Sequence, residues 1–424
     1  MIVRFEHLAR YIPRIVEAEI QAKLGSLGAV VVEGPKACGK TETARRLASS
    51  AVLLDTDRNA RQAVSVDPGL VLEGPVPRLI DEWQVEPEIW NHIRRAVDER
   101  GVPGQFILTG SAAPADDVTR HTGAGRIARV RMRPMSLHET GHASGTVSLA
   151  ALLRGEPPRA PDPGLTFRDL VGQLAVGGWP GLIGLDPDQA LIAVRDYLGE
   201  IRRVDIRGAD GRRRDPERVA RVLRSLARHV STYAAATTIA ADAGGDERSP
   251  DDDTVRDYLD ALERVMIVED QPAWGPHLRS RSVLRSSVKR HFVDPSLAVA
   301  AVRATPERLL RDLEFTGLLF ESLVVRDLRV YAQANEARVL QHRDNTGLEI
   351  DAIIETADGR WAAFEIKMGQ RYIEDAAAAL RRFAERVDTG RVGPPASLAV
   401  IVAGGYGYMR DDGIGVIPVA ALGP

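Results

Sequence analysis

The chain has 424 residues, of which 44 % are apolar and 27 % charged, as in ordinary globular proteins. This composition excludes collagen-like, mucin-like and wholly disordered classes, and the length predicts two or three domains. The chain holds 56 Lys and Arg against 59 Asp and Glu, a net charge of −3, so any nucleic-acid surface must be local. The single cysteine, Cys38, excludes an intramolecular disulfide and a cysteine zinc cluster.

The sequence carries no pattern typical of export or of a membrane span. Residues 1–16 include four charged side chains and no apolar core of a signal peptide. The longest uncharged stretches, 170–185 and 392–409, are interrupted by Gly and Pro. We therefore expect a cytoplasmic protein that has no membrane partner.

The first third of the chain alternates short apolar runs with helical patterns, which predicts a parallel sheet covered on both faces. The Gly- and Pro-rich segment 144–165 is the best linker candidate. Helical patterns at 217–234 and 253–264, followed by an apolar run at 265–270, have the order of a winged helix-turn-helix. A second, smaller α/β unit is predicted from about residue 310, with strands at 339–343, 349–355, 361–367 and 398–403.

A phosphate-binding loop follows the first predicted strand and precedes a predicted helix. Its backbone N–H groups and the helix N-terminus suit a phosphate chain. We expect Lys40 to reach the β- and γ-phosphates of ATP and Thr41 to hold Mg²⁺. Cys38 lies in the loop, so its alkylation is expected to slow turnover unless the thiol packs inertly beneath it. The loop matches G-x-x-x-x-G-K-[ST] without a mismatch, through Gly34, Pro35, Lys36, Ala37, Cys38, Gly39, Lys40 and Thr41.

Further residues complete the predicted ATPase site. Asp81 ends an apolar strand and is assigned to Mg²⁺, and Glu82 is assigned to activation of the attacking water. Thr109 and Ser111 end another strand and are alternatives for binding that water or the γ-phosphate. Arg126 is the candidate charge-stabilising finger, supplied within the chain or by a neighbouring subunit.

These motifs resemble an AAA-type ATP-binding protein family of bacteria and archaea whose C-terminal region is domain of unknown function 4143. The resemblance covers nearly the whole chain. It implies an ATPase core of the additional-strand type, a winged-helix segment and a restriction-endonuclease-like C-terminal fold. The sequences that carry it include GPKACGKT, LIDEWQ and ILTGS in the first third, and GGWP, FVDP, GLLFE, LEID and FEIK in the rest.

Carboxylates in the last quarter form a D…(D/E)-x-K pattern. Asp351 lies in one predicted strand, and Glu365 and Lys367 lie two residues apart in the next, so the latter two share a face. Such carboxylates hold Mg²⁺ in nuclease-like sites, and the lysine stabilises charge. Glu321 is the remaining metal ligand that the resemblance suggests. Active cleavage and a degenerate fold that retains only the shape both stay open.

The sequence offers two kinds of macromolecular partner. A basic stretch at 277–291 follows the apolar run of the predicted winged helix and makes DNA a candidate partner. The predicted recognition helix at 253–264 is acidic, which favours a protein contact instead. The nucleic-acid candidates are Arg279, Arg281, Arg285, Lys289 and Arg290.

Together these observations predict an α/β protein in four parts. They are a P-loop AAA-type ATPase domain with a parallel sheet at 1–145, a linker at 146–165, a helical and winged-helix region at 166–305 and a PD-(D/E)xK nuclease-like domain at 306–424. We expect the protein to hydrolyse ATP with Mg²⁺ and to act on or with nucleic acid through its nuclease-like C-terminal domain. The alternative is a regulatory ATPase or ATP sensor that binds protein partners and has a degenerate nuclease fold. A homo-oligomer is compatible with both.

Overall fold

The computed structural model describes residues 11–110, 122–206, 214–244, 252–275 and 288–424. The chain forms two compact units, one of Met1–Pro134 with Trp179–Ile183 and the other of Met135–Gly178 with Gly184–Pro424. The expected α/β class is confirmed, with a parallel sheet near the N-terminus, a helical middle and a mixed sheet near the C-terminus. The four predicted domain boundaries stay a prediction. Within the described ranges, no helix is long and apolar enough to cross a bilayer.

The first unit is built on a five-stranded, wholly parallel sheet of order β2-β3-β4-β1-β5. Strand β4 lies between β1 and β3, which is the additional strand that the resemblance implies. The strands are β1 (Ala29–Glu33), β2 (Ser50–Leu53), β3 (Arg78–Asp81), β4 (Phe106–Gly110) and β5 (Ile127–Arg131). The helices are α1 (Glu17–Leu24), α2 (Lys40–Leu47), α3 (Arg58–Val66), α4 (Gly69–Leu72) and α5 (Ile89–Arg100).

The burial of the central strands is typical of a parallel sheet. The central strand β4 is buried throughout, and β1 is buried at every residue except Glu33. Strands with two covered faces are typical of crossover connections through helices. Because all five strands run the same way, the residues that follow β1, β3 and β4 meet at one edge of the sheet.

The second unit begins with a helical region. Four of its helices begin at a proline that follows an Asp or Thr whose side chain accepts a backbone N–H, a strong start signal. The helices are α6 (Leu149–Leu153), α7 (Phe167–Val176), α8 (Pro187–Glu200), α9 (Pro216–Arg228), α10 (Ala236–Gly244), α11 (Asp252–Arg264), α12 (Pro295–Ala301) and α13 (Pro306–Arg311).

Two predicted segments of this region have defined structure. The segment predicted as a linker contains α6 and the short strand β6 (Val147–Ser148), which pairs with the last strand of the chain. Helices α9 and α11 lie where the two helical patterns were predicted, and α10 lies between them, where no helix was predicted. Antiparallel bridges then join Val268 to Phe292 and Gln271 to Lys289. The winged helix itself stays a prediction.

The C-terminal part is a mixed six-stranded sheet of order β11-β12-β10-β9-β8-β7. Helices α14 (Leu313–Ala334) and α15 (Ile373–Arg386) pack against it, and the short α16 (Thr389–Val392) follows α15. The strands are β7 (Ala337–Arg343), β8 (Glu349–Thr356), β9 (Trp361–Lys367), β10 (Ser397–Val402), β11 (Tyr408–Met409) and β12 (Gly415–Pro418), with β13 (Leu422–Gly423) paired to β6.

Candidate functional site

The phosphate-binding loop lies between β1 and α2, as predicted. Gly34 must be a glycine because a Cβ at this position would lie 2.2 Å from the carbonyl oxygen of Met132. Gly39 has a φ of 101°, a left-handed conformation that favours glycine. The two glycines of the motif are therefore explained by one close approach and one positive φ.

Two cations hold this loop from within. Lys40 is 5 % exposed, and its Nζ donates to the carbonyl oxygens of Gly34 at 3.0 Å and Pro35 at 2.9 Å. Arg14 donates from Nη1 to the carbonyl oxygen of Cys38 and from Nη2 to that of Arg133, both at 2.8 Å. Sequence reasoning missed Arg14, because nothing local distinguishes it in an arginine-rich chain.

The ends of β3 and β4 meet the start of α2 at one hydrogen-bonded point. Thr41 Oγ1 donates to Asp81 Oδ1 at 2.9 Å, and the Thr109 hydroxyl contacts the same oxygen. The backbone N–H of Glu82 donates to Thr109 Oγ1 at 3.3 Å. The Glu82 carboxylate in turn contacts the side-chain amide of Gln84. The structure thus brings Thr41, Asp81 and Glu82 together, as their assigned roles require.

An open cavity of about 560 Å³ lies over this point. Its wall combines the loop with the acid that follows β3, so a phosphate chain in the cavity would meet both. The residues that line it are Lys36, Ala37, Gly39, Lys40, Thr41, Glu42, Asp55 and Glu82. Glu42 and Asp55 were not predicted from the sequence.

Of the two residues predicted to bind the attacking water or the γ-phosphate, the structure describes only Thr109. Thr109 is fully buried, and its hydroxyl lies between Asp81 and the backbone of Glu82, where it positions both acids. Ser111, its alternative, lies outside the described residues.

Arg126 lies far from the loop of its own chain. Its carbonyl oxygen accepts from the N–H of Ala29 at the beginning of β1, whereas the loop follows Glu33 at the other end. About 13 Å of strand separates these two positions. The Arg126 guanidinium pairs with the exposed Asp98 at 2.8 Å. This geometry favours a finger supplied to a neighbouring subunit over one within the chain, and the finger itself stays a prediction.

The predicted carboxylates of the second unit also converge. Ala352 on β8 pairs with Phe364 on β9 across the antiparallel ladder. Asp351 and Glu365 are the neighbours of this pair, one on each strand. Lys367 Nζ lies 2.9 Å from Asp351 Oδ2 and 2.7 Å from Glu365 Oε2. We call the set of Glu321, Lys289, Asp351, Glu365 and Lys367 the acid–lysine cluster.

Lys289 is the member of the acid–lysine cluster that sequence reasoning placed elsewhere. Its Nζ lies 3.0 Å from Asp351 Oδ1 and contacts Glu321 Oε1, and only 3 % of its side chain is exposed. It is therefore not a solvent-facing residue of the basic stretch. The usable signal was the rarity of lysine, since the chain has only five lysines among its 56 basic residues.

Burial and opposite charges shift the ionisation of the acid–lysine cluster. Burial, and after it the charge of Asp351, raise the pKa of Glu321 to about 7 and that of Glu365 to about 8. Burial acts the same way on Asp351, but Lys289 and Lys367 outweigh it and hold its pKa well below the ordinary value. The carboxylates likewise overcome burial and raise the pKa of both lysines.

The carboxylates predicted to hold a metal do not fit one as arranged. Both oxygens of Asp351 face an ammonium group, and Oδ2 also accepts the N–H of Ile366 at 3.0 Å. Glu321 and Glu365 each contact a lysine. In the described part of the chain, no three His, Cys, Asp or Glu side chains are grouped to hold a metal ion. The carboxylates converge, but lysines take the place expected for the ion, and the nuclease-like site stays a prediction.

Of the other four nucleic-acid candidates, the structure describes only Arg290. Arg279, Arg281 and Arg285 lie outside the described residues. Arg290 pairs with Asp270 at 2.7 Å, and both side chains are largely buried.

A buried network links two of the motifs on which the resemblance depends. Asp294, in the FVDP sequence, accepts from the N–H of Gly178 at 2.9 Å and pairs with Arg326 at 2.8 Å. Arg326 also pairs with Asp327, and all three charged side chains are buried. Gly178, in the GGWP sequence, has no room for a side chain, because a Cβ would lie 2.1 Å from the carbonyl oxygen of Met135.

Comparison with protein families agrees with this arrangement. Residues 27–141 match the model of an AAA domain, and residues 316–422 match domain of unknown function DUF4143. The chain thus contains an N-terminal segment that matches an AAA domain and a C-terminal segment that matches DUF4143. Its AAA domain contains the loop, Asp81 and Glu82, and supports ATP binding. The helical region between them, residues 167–308, matches a second domain of unknown function, DUF8612.

Individual proteins resemble this chain over most of its length. Uncharacterized proteins of Mycobacterium tuberculosis and Mycobacterium bovis are each 25 % identical over 360 residues, which is 84 % of this chain and 73 % of each relative. A solved structure, the Walker-type ATPase PABY2304 of Pyrococcus abyssi, is 14 % identical with a TM-score of 0.43, over 69 % of this chain and 96 % of that one.

Proposed function

We propose that the AAA domain binds and hydrolyses ATP with Mg²⁺. The observation that carries the proposal is the cavity of about 560 Å³, where Lys40 and Thr41 of the loop face Glu82. Thr41 is also hydrogen-bonded to Asp81. Loop, cation, hydroxyl and two successive acids are the parts that phosphoryl transfer to water requires.

The residues of this site fit a magnesium ion. The Thr41 hydroxyl and the Asp81 carboxylate are oxygen donors 2.9 Å apart, the ligand type that Mg²⁺ prefers. Bound there, the ion would neutralise charge on the phosphates. Lys40 exchanges its bonds to the loop carbonyl oxygens for phosphate oxygens. Glu82, on the cavity wall, accepts the proton of the attacking water.

Two variants test this proposal. Lys40→Ala should abolish tight nucleotide binding and lower turnover by about 10²-fold or more, because it removes the cation of the loop. Glu82→Gln should keep binding and lose turnover, because it removes only the proton acceptor. Lys23→Ala is the matched control, since Lys23 belongs to the same unit but pairs with Glu19 and does not line the cavity. Calorimetry and phosphate release measure the two properties, and normal hydrolysis by both variants would refute the site.

For the C-terminal DUF4143 we consider two roles. The first is action on nucleic acid through a nuclease-like fold, which is supported by the convergence of Glu321, Asp351, Glu365 and Lys367. The second is a regulatory ATPase or ATP sensor whose nuclease-like fold has lost its chemistry and binds a protein partner. The lysine contacts of every carboxylate in the acid–lysine cluster favour the second role.

One comparison separates these roles. ATP turnover is measured with DNA, with RNA and with neither, and DNA mobility is followed over a range of salt concentrations. A nucleic-acid role predicts stimulated turnover and a mobility shift that salt weakens. Unchanged turnover and no shift support the regulatory role.

A further inference from the structure

The acid–lysine cluster contains one more cation than its sequence motif supplies. Lys367 belongs to the E-x-K pattern, but Lys289 comes from a segment 62 residues before Asp351. Its ammonium group joins carboxylates of two elements, Glu321 on α14 and Asp351 on β8. A divalent cation shared by these two carboxylates would have to stand in the same place.

The backbone fixes Lys289 in this position. Its N–H and carbonyl groups both pair with Gln271, at 3.1 and 2.8 Å. The Gln271 side chain donates to the carbonyl oxygen of Asp351 at 2.9 Å and lies 3.1 Å from His291 Nε2. His291 Nδ1 lies 3.2 Å from the hydroxyl of Ser322, the neighbour of Glu321. The groups that position Lys289 therefore also contact the backbone of Asp351 and the neighbour of Glu321, so the position of Lys289 beside both carboxylates is built into the fold.

The charges around Lys289 match those that a hard cation would need. Three carboxylates meet two ammonium groups, so removal of Lys289 would leave three carboxylates with Lys367 alone. Carboxylate oxygens are the preferred ligands of Mg²⁺ and Mn²⁺. An uncompensated buried charge is costly, which favours uptake of any cation that fits. A cavity of about 880 Å³, lined in part by Glu321 and Lys367, offers an entry path.

We propose that the Lys289 ammonium is the resident cation of the acid–lysine cluster, and that it occupies a latent divalent-cation site formed by Glu321 and Asp351. With Lys289 in place, the DUF4143 domain takes no metal ion at this position. Without Lys289, the Glu321 and Asp351 carboxylates bind Mg²⁺ or Mn²⁺. The inference does not depend on ATP hydrolysis, because the AAA domain holds its own site.

The test compares Mn²⁺ binding by nucleotide-free wild type and Lys289→Met, with free Mn²⁺ followed by electron paramagnetic resonance. Methionine retains length and apolar volume but removes the charge. The variant should bind one Mn²⁺ per chain more than wild type. Saturating Mn²⁺ should raise the unfolding temperature of Lys289→Met by about 5 °C more than it raises that of wild type. Every protein compared keeps the same AAA site, so the difference reports the cluster.

Three controls sharpen the result. Lys289→Arg retains a cation and should gain no site. Arg290→Met removes the adjacent cation, whose partner is Asp270, and should gain none either. Adding Asp351→Asn to Lys289→Met should remove the gained site. A folded Lys289→Met that binds no additional Mn²⁺ overturns the proposal, as does wild-type binding that Asp351→Asn abolishes.

Failure of Lys289→Met to fold without metal is also informative. The variant is then refolded with Mn²⁺ or with Na⁺ at the same ionic strength. Recovery of the fold with Mn²⁺ alone supports a latent cation site. No recovery, or equal recovery with both ions, overturns it.

Discussion

Thr41 Oγ1 donates to Asp81 Oδ1 at 2.9 Å and so joins the first turn of α2 to the end of β3. The Thr109 hydroxyl, at the end of β4, contacts the same carboxylate oxygen. Parallel strands bring their carboxyl ends to one edge, so this meeting follows from the order of the sheet. The orientation of the Asp81 carboxylate consequently depends on Thr109, which does not line the cavity.

Thr109→Val tests this dependence. The change keeps the shape of the side chain but removes the hydroxyl that lies between Asp81 and the N–H of Glu82. Loss of a group that orients a metal ligand typically lowers activity about 10–100-fold, and we expect turnover to fall by this factor. Thr109→Ser keeps the hydroxyl and should retain most activity. Steady-state kinetics at varied Mg²⁺ measure the effect, and wild-type turnover in the valine variant would contradict it.

Cys38 should react slowly in the native protein. Its side chain is fully buried beneath the loop, with Sγ 3.7 Å from the carbonyl oxygen of Met132. The inert packing considered from the sequence therefore agrees with its surroundings. Thiol titration should show little labelling until the chain is unfolded, and Cys38→Ala should hydrolyse ATP at close to the wild-type rate. Rapid native labelling that ATP prevents would show instead that the loop opens.

We expect Arg126 to act in the ATPase site of a neighbouring subunit. Its position beside Ala29, at the far end of β1, separates it from the loop of its own chain. Turnover per chain should then rise with protein concentration. Mixing Arg126→Ala with Glu82→Gln chains should restore part of the activity, because each supplies what the other lacks. A concentration-independent rate without rescue would leave Arg126 as the surface partner of Asp98.

Two motifs and the strand order were sufficient to predict that the loop lies beside Asp81 and Glu82. The loop directly follows its strand, and the parallel sheet brings Asp81, 40 positions after Thr41, to the same edge together with its neighbour Glu82. Arg14 could not be predicted in this way, because its bond to the carbonyl oxygen of Cys38 links residues 24 positions apart with no motif between them. The role of Thr109 depended on its hydroxyl facing Asp81 rather than the cavity, which a strand pattern does not specify.

The acid–lysine cluster shows a different limit. The E-x-K spacing on β9 and the position of Asp351 predicted convergence, which the strand pairing produces. Charge balance was not predictable, because Lys289 belongs to a stretch whose other basic residues suggested a solvent-facing surface. In a chain that uses arginine almost everywhere, a lysine at a buried position was itself the clue.

The pH dependence of the free energy of unfolding should reveal the ionisation of the buried Glu321 carboxyl. Burial, then the charge of Asp351, raise its pKa from 4.5 to about 7, so folding favours its neutral form. The stability it contributes is fully present below pH 4.5 and is lost as the pH rises through about 7.

Unfolding of wild type and Glu321→Gln by denaturant at about pH 5 and about pH 8 measures this contribution. Wild type should lose up to about 3 kcal/mol more than the variant over that interval. Glu314→Gln changes an exposed glutamate of the same helix and should keep the wild-type slope. Equal slopes in wild type and Glu321→Gln would show that this carboxyl does not titrate in that range.

The buried ion pair between Asp294 and Arg326 should be the most sensitive point of the second unit. Asp294→Ala leaves the Arg326 guanidinium with Asp327 alone and frees the N–H of Gly178. Breaking a buried pair from one side typically costs about 3–5 kcal/mol, and we expect a loss of that size in the free energy of unfolding. Asp358→Ala breaks an exposed pair with Arg360 and should change stability little.

A second substitution separates charge from hydrogen bonding at Asp294, whose side chain also caps α12 through the N–H of Ser296 at 3.0 Å. Asp294→Asn keeps an oxygen that can cap the helix but removes the negative charge. If the ion pair matters, the asparagine variant should lose most of the stability that the alanine variant loses. If asparagine unfolds at the wild-type denaturant concentration, capping and the bond from Gly178 account for the effect, and the charge of Asp294 is not required.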